Sequence, residues 1–347
     1  MRMFVGLDLG ISKMSICIVD ADGEVKLRST VRSEPGRILC KLAPFRDAEL
    51  LVGLEACPLS EWIYGAVRDA GHEVVCLETR HSQRFLSSRP NKTDRSDARG
   101  LAEMLRIGHY KTVHVKSVES QTMRAVLAGR RQLMSAMLQI ENTLRSLLRI
   151  RGINIGRVHR GKYADAVVGA LEDAPELRPA IEPLLASRNA MRDEVRKLDN
   201  LLERTSRNDE ICKLFLSIPG VGPQTSLAFK ATIDDPTRFS RSKTVAAHLG
   251  LTPRVYQSGE TDRSGRISKS GDKFLRYLLV EAATSMLLIS RKQSEFKDWA
   301  VALAQRVGKP KAIVALARKL ATIMHRMWTT GTFFDPGPRY RSFEPAT

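Results

Sequence analysis

The sequence predicts a mixed α/β domain first, then a long antiparallel helical hairpin, then a mainly α-helical, strongly basic region. Three observations carry that expectation. Near the N-terminus, apolar strands come first in hairpin order and then alternate with helical stretches, the pattern of a mixed sheet. In the middle, two long stretches carry their seam residues at steps of three and four. Beyond residue 209, helix-forming segments follow one another between Gly- and Pro-containing turns.

Taken in order, "MFVGLDLGISKMSICIVDADGEVKLRSTV" reads as strand, turn, strand, Asp-Gly turn and third strand. "ELLVGLEAC" (49–57) is a fourth strand, "SEWIYGAVRDAGH" a helix closed by Gly71, and "EVVCLET" a further strand. The first seam comprises Val126, Arg130, Leu133, Met137, Ile140, Leu144 and Leu147. The second comprises Ile181, Leu184, Arg188, Met191, Val195, Leu198 and Leu202. Together they predict an antiparallel coiled-coil arm in which each seam carries one register-setting arginine; two helices of an ordinary bundle are the alternative. "SIPGVGPQTSLAFKATI" (217–233) has the turn of a helix-hairpin-helix, whose backbone N–H groups at Gly220 and Gly222 can meet phosphate. A plain turn between two helices reads the same residues equally well. Helices are expected at 241–250, 271–290, 296–307 and 310–330. The expected division is 1–115 for the α/β domain, 116–208 for the arm, 209–333 for the basic helical domain and 334–347 for a flexible tail.

The 347 residues carry a formal charge of +18, which favours a polyanionic partner. Its distribution is uneven. Residues 1–110 hold 16 Lys/Arg against 15 Asp/Glu, a net of +1, whereas the remaining 237 hold 40 against 23, a net of +17. That split suggests chemistry in the first domain and a grip on nucleic acid in the rest. Five cysteines without a CxxC pair argue against a zinc module and a disulfide framework. No signal-peptide pattern or run of 18 apolar residues occurs, so a soluble, cytoplasmic, nucleoid-associated protein with no membrane partner is expected.

Four acids stand out against this background. In "NKTDRSDARGLAEML", Asp97, Ala98, Leu101 and Leu105 share one helical stripe, and Asp94 extends it by a turn toward the positive end of the helix. An N-cap role would account for Asp94 but not for Asp97 on the same face. Asp8 and Glu55 interrupt apolar strands, each two residues after a glycine, Gly6 and Gly53. Period-two alternation puts each glycine beside its acid, leaving room for a ligand or a backbone to approach. A buried ion pair explains any one of these acids. Four from separate segments are better explained by a divalent-cation site, because Mg²⁺ takes carboxylate oxygens and can clamp a phosphoryl displacement.

The arrangement resembles the RNase H-like nucleotidyl-transfer fold in its RuvC-like form. The motifs "GLDLGISK", "GLEAC", "NKTDRSDARGLAEML" and "HLGLTPRVYQSGETDRSGRISKSGDKFLR" also resemble the DEDD transposases of insertion-sequence family one-ten, relatives of the Piv DNA invertase. The resemblance implies an α/β RNase H-like (RuvC-like) N-terminal domain, a coiled-coil middle and a mainly α C-terminal domain. It implies Asp8, Glu55, Asp94 and Asp97 as the catalytic, magnesium-holding tetrad and Ser258 as the nucleophile. It also implies a serine recombinase that is a homo-oligomer (dimer or tetramer), acts on the DNA of element ends and target, and is guided by a structured noncoding RNA.

By composition alone, "YQSGETDRSGRISKSGDKFLR" (256–276) is a basic loop for nucleic acid, with Arg263, Arg266, Lys269, Lys273 and Arg276 available to phosphates. On that reading Ser264, Ser268 and Ser270 rival Ser258, and no histidine lies nearby to serve as base. Three other functions compete. A junction-resolving nuclease would use the same acids with water as attacker. A non-catalytic bridging protein would hold them as ion-paired structure. An actin-like ATPase or sugar kinase would need a second α/β half where this chain is helical and basic.

Overall fold

The computed structural model describes residues 1–87, 94–258 and 261–340, and their side chains except at 94–95, 160, 255–258 and 261–264. Two compact units emerge, Met1–Lys116 and Ser117–Thr347.

The first unit is built on strands β1 (Arg2–Leu9), β2 (Lys13–Val19) and β3 (Val25–Arg32), helix α1 (Pro35–Leu42), β4 (Glu49–Glu55), α2 (Ser60–Asp69), β5 (Glu73–Leu77), α3 (Thr79–Leu86) and α4 (Asp94–Arg106). The sheet runs β3-β2-β1-β4-β5. Only β2 opposes its neighbours; β4 lies parallel to β1, and β5 parallel to β4. Helices cover both faces, which is why β1, β2 and β4 are near-continuous apolar runs. On one face Val5, Leu7, Ile16, Ile18, Val52 and Leu54 pack with Ile38 and Leu42 of α1 and Ile63 and Val67 of α2. On the other, Phe4, Cys17, Val19, Leu51 and Leu77 pack with Ala98, Leu101, Ala102 and Leu105 of α4. The edge strand β3 alternates half-buried and exposed along its length, as a strand with one wet face should.

The second unit contains α5 (Val118–Arg149), α6 (Tyr163–Ala170), α7 (Arg178–Asn208), α8 (Glu210–Leu216), α9 (Pro223–Ile233), α10 (Ser242–His248), strands β6 (Pro253–Ser258) and β7 (Thr261–Ile267), α11 (Lys273–Leu288), α12 (Glu295–Val307) and α13 (Lys309–Thr330). The two long helices α5 and α7 pack against each other. Arg130 bonds Asp199 and Arg188 bonds Glu141, so partners ascend on one helix as they descend on the other, which makes the pair antiparallel. Each seam arginine thus meets an acid of the opposite helix. Arg188 is fully buried over the Tyr163 ring, where loss of its carboxylate would strand a charge. The buried stripe of α5 runs Leu127, Met137, Glu141, Leu144 and Leu148, a rotation of the expected seam that places Val126, Ile140 and Leu147 at its partly buried margin.

The base of this helical pair is not separate from the helices that follow. Leu127 and Leu202 belong to the same core as Phe215, Phe229, Leu279, Leu320 and Met324. Its tip carries a smaller core, formed by Leu144, Leu148, Tyr163, Val167, Ile181 and Leu185. Residues 334–340, expected within a flexible tail, are pinned instead. Phe334 packs on the main core and its N–H donates to Ser217 Oγ, the Pro336 carbonyl accepts from Glu295 N–H, and the Tyr340 hydroxyl donates to Asp298. The rest of that tail, 341–347, lies outside the described residues.

Candidate active site

Strand register settles how the acids of the first unit are arranged. Gly6 pairs with Gly53 and Leu7 with Leu54 across the parallel β1–β4 ladder. Asp8 and Glu55 are the next residues along, at the C-terminal ends of adjacent strands. Alternation puts both on the α4 face, the side of Phe4 and Leu51.

The two glycines explain how α4 reaches them. A Cβ on Gly6 would lie 2.1 Å from the Ala98 carbonyl oxygen and 2.5 Å from the Ala102 nitrogen, so the helix backbone rests directly on the strand backbone. A Cβ on Gly53 would lie 2.7 Å from a methyl of Leu105. Of the two approaches the sequence allowed, ligand or backbone, backbone is the one found at Gly6, whereas at Gly53 it is the Leu105 side chain that fills the space. Because Ala98 sits over Gly6, the preceding turn of α4, with Asp97 and then Asp94, is directed toward the strand ends where Asp8 and Glu55 stand. Asp8, Glu55 and Asp97 are all half-buried. The Asp94 side chain lies outside the described residues. Among the described residues no three His, Cys, Asp or Glu form a cluster close enough to hold a metal. What the fold supplies is two carboxylates, Asp8 and Glu55, at neighbouring strand ends, oxygen donors of the kind that hard divalent cations take.

One contributor was missed by sequence reasoning. Ser82, fully buried on α3, donates its hydroxyl to Glu55 Oε1 and also lies within hydrogen-bond reach of the Glu78 and Thr79 carbonyls. It fixes the rotamer of Glu55. A serine in the polar stretch "TRHSQRFL" carries no pattern that would have revealed this. Nearby, His81 Nδ1 is a buried nitrogen with no hydrogen-bond partner among the described residues, and its ring packs against His109 with centroids 4.9 Å apart.

In the second unit, the segment read as a basic loop is a two-stranded hairpin in which Tyr256 pairs with Arg263, Gln257 with Asp262 and Ser258 with Thr261. Ser258 therefore ends β6, opposite the first residue of β7. The side chains of Ser258, Arg263 and Ser264 lie outside the described residues. Arg266 and Lys269 are exposed, Lys269 with a positive φ of 56°. Ser268 and Ser270 hydroxyls bond each other at 3.0 Å. Lys273 is exposed at the start of α11. Arg276 has a structural task, donating to the carbonyls of Leu249 at 2.9 Å and Ser270 at 2.7 Å. Gly220, at φ 89°, serves packing: a Cβ there would lie 2.6 Å from the Ala282 carbonyl of α11. Gly222 has open space around it and caps α9.

The sheet order, with strand 2 alone reversed and a helix closing on strand 1, fits an RNase H-like domain carrying carboxylates at one end. Comparison of the chain with known families makes the assignment narrower. Residues 5–151 match the DEDD transposase model of the IS110 group, and residues 212–299 match the model for the IS116/IS110/IS902 transposase family. The chain belongs to the IS110/IS116/IS902 family of transposases, enzymes that cleave and transfer DNA strands. It is similar to the transposase of insertion sequence element IS1111A from Coxiella burnetii, 29% identical over 94% of this chain and 89% of that one. A probable family 20 transposase of Pseudomonas aeruginosa is 28% identical over 96% and 98%. The pilin gene-inverting protein of Moraxella bovis is 30% identical over 41% of this chain and 46% of its own. Among solved structures, Thermus thermophilus RuvC in complex with a Holliday junction substrate is similar over 33% of this chain and all of that chain, with 18% identity and a TM-score of 0.26.

Proposed function

We propose that the chain is a magnesium-dependent DNA recombinase that breaks and rejoins strands through Ser258, directed by a structured noncoding RNA encoded beside it. The observation that supports the reading is the position of Asp8 and Glu55 at the C-terminal ends of adjacent parallel strands, on the face where the α4 backbone rests on Gly6. In this reading Asp8, Glu55, Asp94 and Asp97 hold Mg²⁺. The metal, when bound, draws charge from the scissile phosphate.

The Ser258 hydroxyl, presented by the hairpin of a second copy in a homo-oligomer, attacks phosphorus. A serine Oγ–P ester forms as a P–O bond to sugar breaks; the serine proton leaves and a sugar hydroxyl is freed. A strand hydroxyl then displaces the serine, so one ester replaces another and no external energy is required. Arg263, Arg266 and Lys269 hold the phosphate backbone around the hairpin and offset the developing charge. Family membership supports DNA as substrate. The excess of +17 beyond residue 110 supports backbone contacts, with sequence read by RNA pairing rather than by protein. The matched Arg130–Asp199 and Arg188–Glu141 pairs support a coiled-coil arm of fixed register.

The test uses the purified chain, DNA carrying both ends of the element, and the transcript of its noncoding flank. The expected product is a Mg²⁺-dependent covalent protein–DNA adduct that disappears in Ser258→Ala and in Asp97→Asn. Cutting by Ser258→Ala that leaves free ends would identify water as the attacker and a junction-type nuclease. An Asp97→Asn protein as active as the parent, with no metal dependence, would return the acids to a structural role.

A further inference from the structure

A concave groove opens on the second unit, lined by α5, the start of α9 and the first turns of α11, with a volume of about 980 Å³. A smaller hollow of about 230 Å³ shares Arg131, Lys273 and Phe274 with it and extends toward Arg124 and Asp272. Two chemistries meet in this groove. One side is cationic: Arg131 lies 4.8 Å over the Phe274 ring, and Lys273 is exposed beside it. Among the described residues neither makes an ion pair, whereas Arg124 and Arg130 are matched with Asp272 and Asp199. The other side is apolar and aromatic, with Met134, the exposed Leu138 and the exposed Tyr277. Tyr277 lies one helical turn beyond Lys273, on the same face of α11.

We infer that this groove binds single-stranded nucleic acid, with phosphates on Arg131 and Lys273 and an unstacked base against Tyr277. The inference rests on the nucleic-acid reading above but concerns a different surface from the acids and the Ser258 hairpin. Unneutralised cations attract phosphate of any strand. The apolar wall selects among strands, because a duplex keeps its bases inside while a single strand has faces to bury. In the first turn of α9, Gln224 and Thr225 add backbone N–H dipoles on the same side. Two carboxylates also line the groove. Glu141 is neutralised by Arg188. Glu281 is exposed further along α11, where it repels phosphate and can accept from a base amine, confining the backbone to the Arg131–Lys273 side.

The test is fluorescence anisotropy with the full chain and labelled oligo-dT or oligo-U of about 12 nucleotides, a length one stacking groove and its flanks can occupy. A duplex of equal length serves as comparison, and magnesium is left out so that cleavage plays no part. Arg131→Gln with Lys273→Gln is expected to weaken single-strand binding about tenfold, with a salt slope shallower by about 1.4, the loss of two phosphate contacts. Tyr277→Ala is expected to weaken it with the slope unchanged. A preference for dT or U names the strand held and supports the site either way. Equal losses in Arg291→Gln with Lys292→Gln, two exposed cations outside the groove, would reduce the effect to general charge and overturn the proposal. Equal losses on the duplex, or no loss, would overturn it too. Because binding is read without metal, failure here leaves the cleavage test standing, and the reverse also holds.

Discussion

At the scale of single residues, Gly6 and Gly53 look alike in sequence and differ in consequence. A methyl group on Gly6 meets backbone atoms of α4 that cannot rotate away, whereas one on Gly53 meets the far end of Leu105. Gly6→Ala is therefore expected to destabilise the first unit by about 3 kcal/mol and, on the proposed role of Asp97, to abolish strand cleavage by displacing it. Gly53→Ala should cost about 1 kcal/mol and leave most activity, both figures from the range for overpacked cores. Denaturant melts with a cleavage assay check the contrast, and equal effects would contradict it. The places of Asp8 and Glu55 on their strands, each beside a glycine, were legible in the sequence because an acid in an apolar strand is conspicuous. Ser82 was not, because a buried hydroxyl inside a polar stretch shows nothing until its acceptor is in place.

At the scale of elements, the start of α11 joins several contacts into one. Asp272 accepts from the N–H groups of Phe274 and Leu275 and from Arg124 of α5. Burial works against its ionisation more than any other single influence. The Leu275 N–H, Arg124 and the Phe274 N–H together outweigh it and hold the carboxyl below the usual aspartate range. A folded-state value below the unfolded one of about 3.9 means that the carboxylate adds stability above that pH. The contribution is lost as pH falls through the folded value. Asp272→Ala should cost about 2 kcal/mol near neutrality, the upper range for a helix cap. It should also flatten the fall in stability on acidification below about pH 4, where the carboxylate would titrate. Chemical denaturation at pH 7 and pH 3 measures both. Elements with strong periodicity, such as β1, β2, β4, α5, α7, α11 and α13, were readable from pattern. The short helices α1, α3 and α6 have too few turns to show a period, and the β6–β7 pair lacks apolar alternation in its sequence.

At the scale of the whole molecule, each unit owns its core. Leu7, Ile16, Leu54 and Leu101 serve the first, Phe215, Phe229, Leu279 and Leu320 the second. Fragments 1–116 and 117–347 are accordingly expected to fold independently, each with one cooperative thermal transition and native helix content by circular dichroism. Transitions seen only in the intact chain would contradict this. The uneven charge, readable from the start, follows the same boundary closely enough that the second fragment should retain nearly all affinity for nucleic acid at low salt.

The direct seating of α4 on the bare backbone of Gly6 has a consequence for variation among relatives. Where main chain touches main chain, the gap between helix and strand is insensitive to which aliphatic side chains fill the surrounding space. Neighbouring positions such as Val19, Leu51 or Leu105 can drift among similar hydrophobes while the carboxylates keep their spacing, provided one position in β1 stays without a side chain.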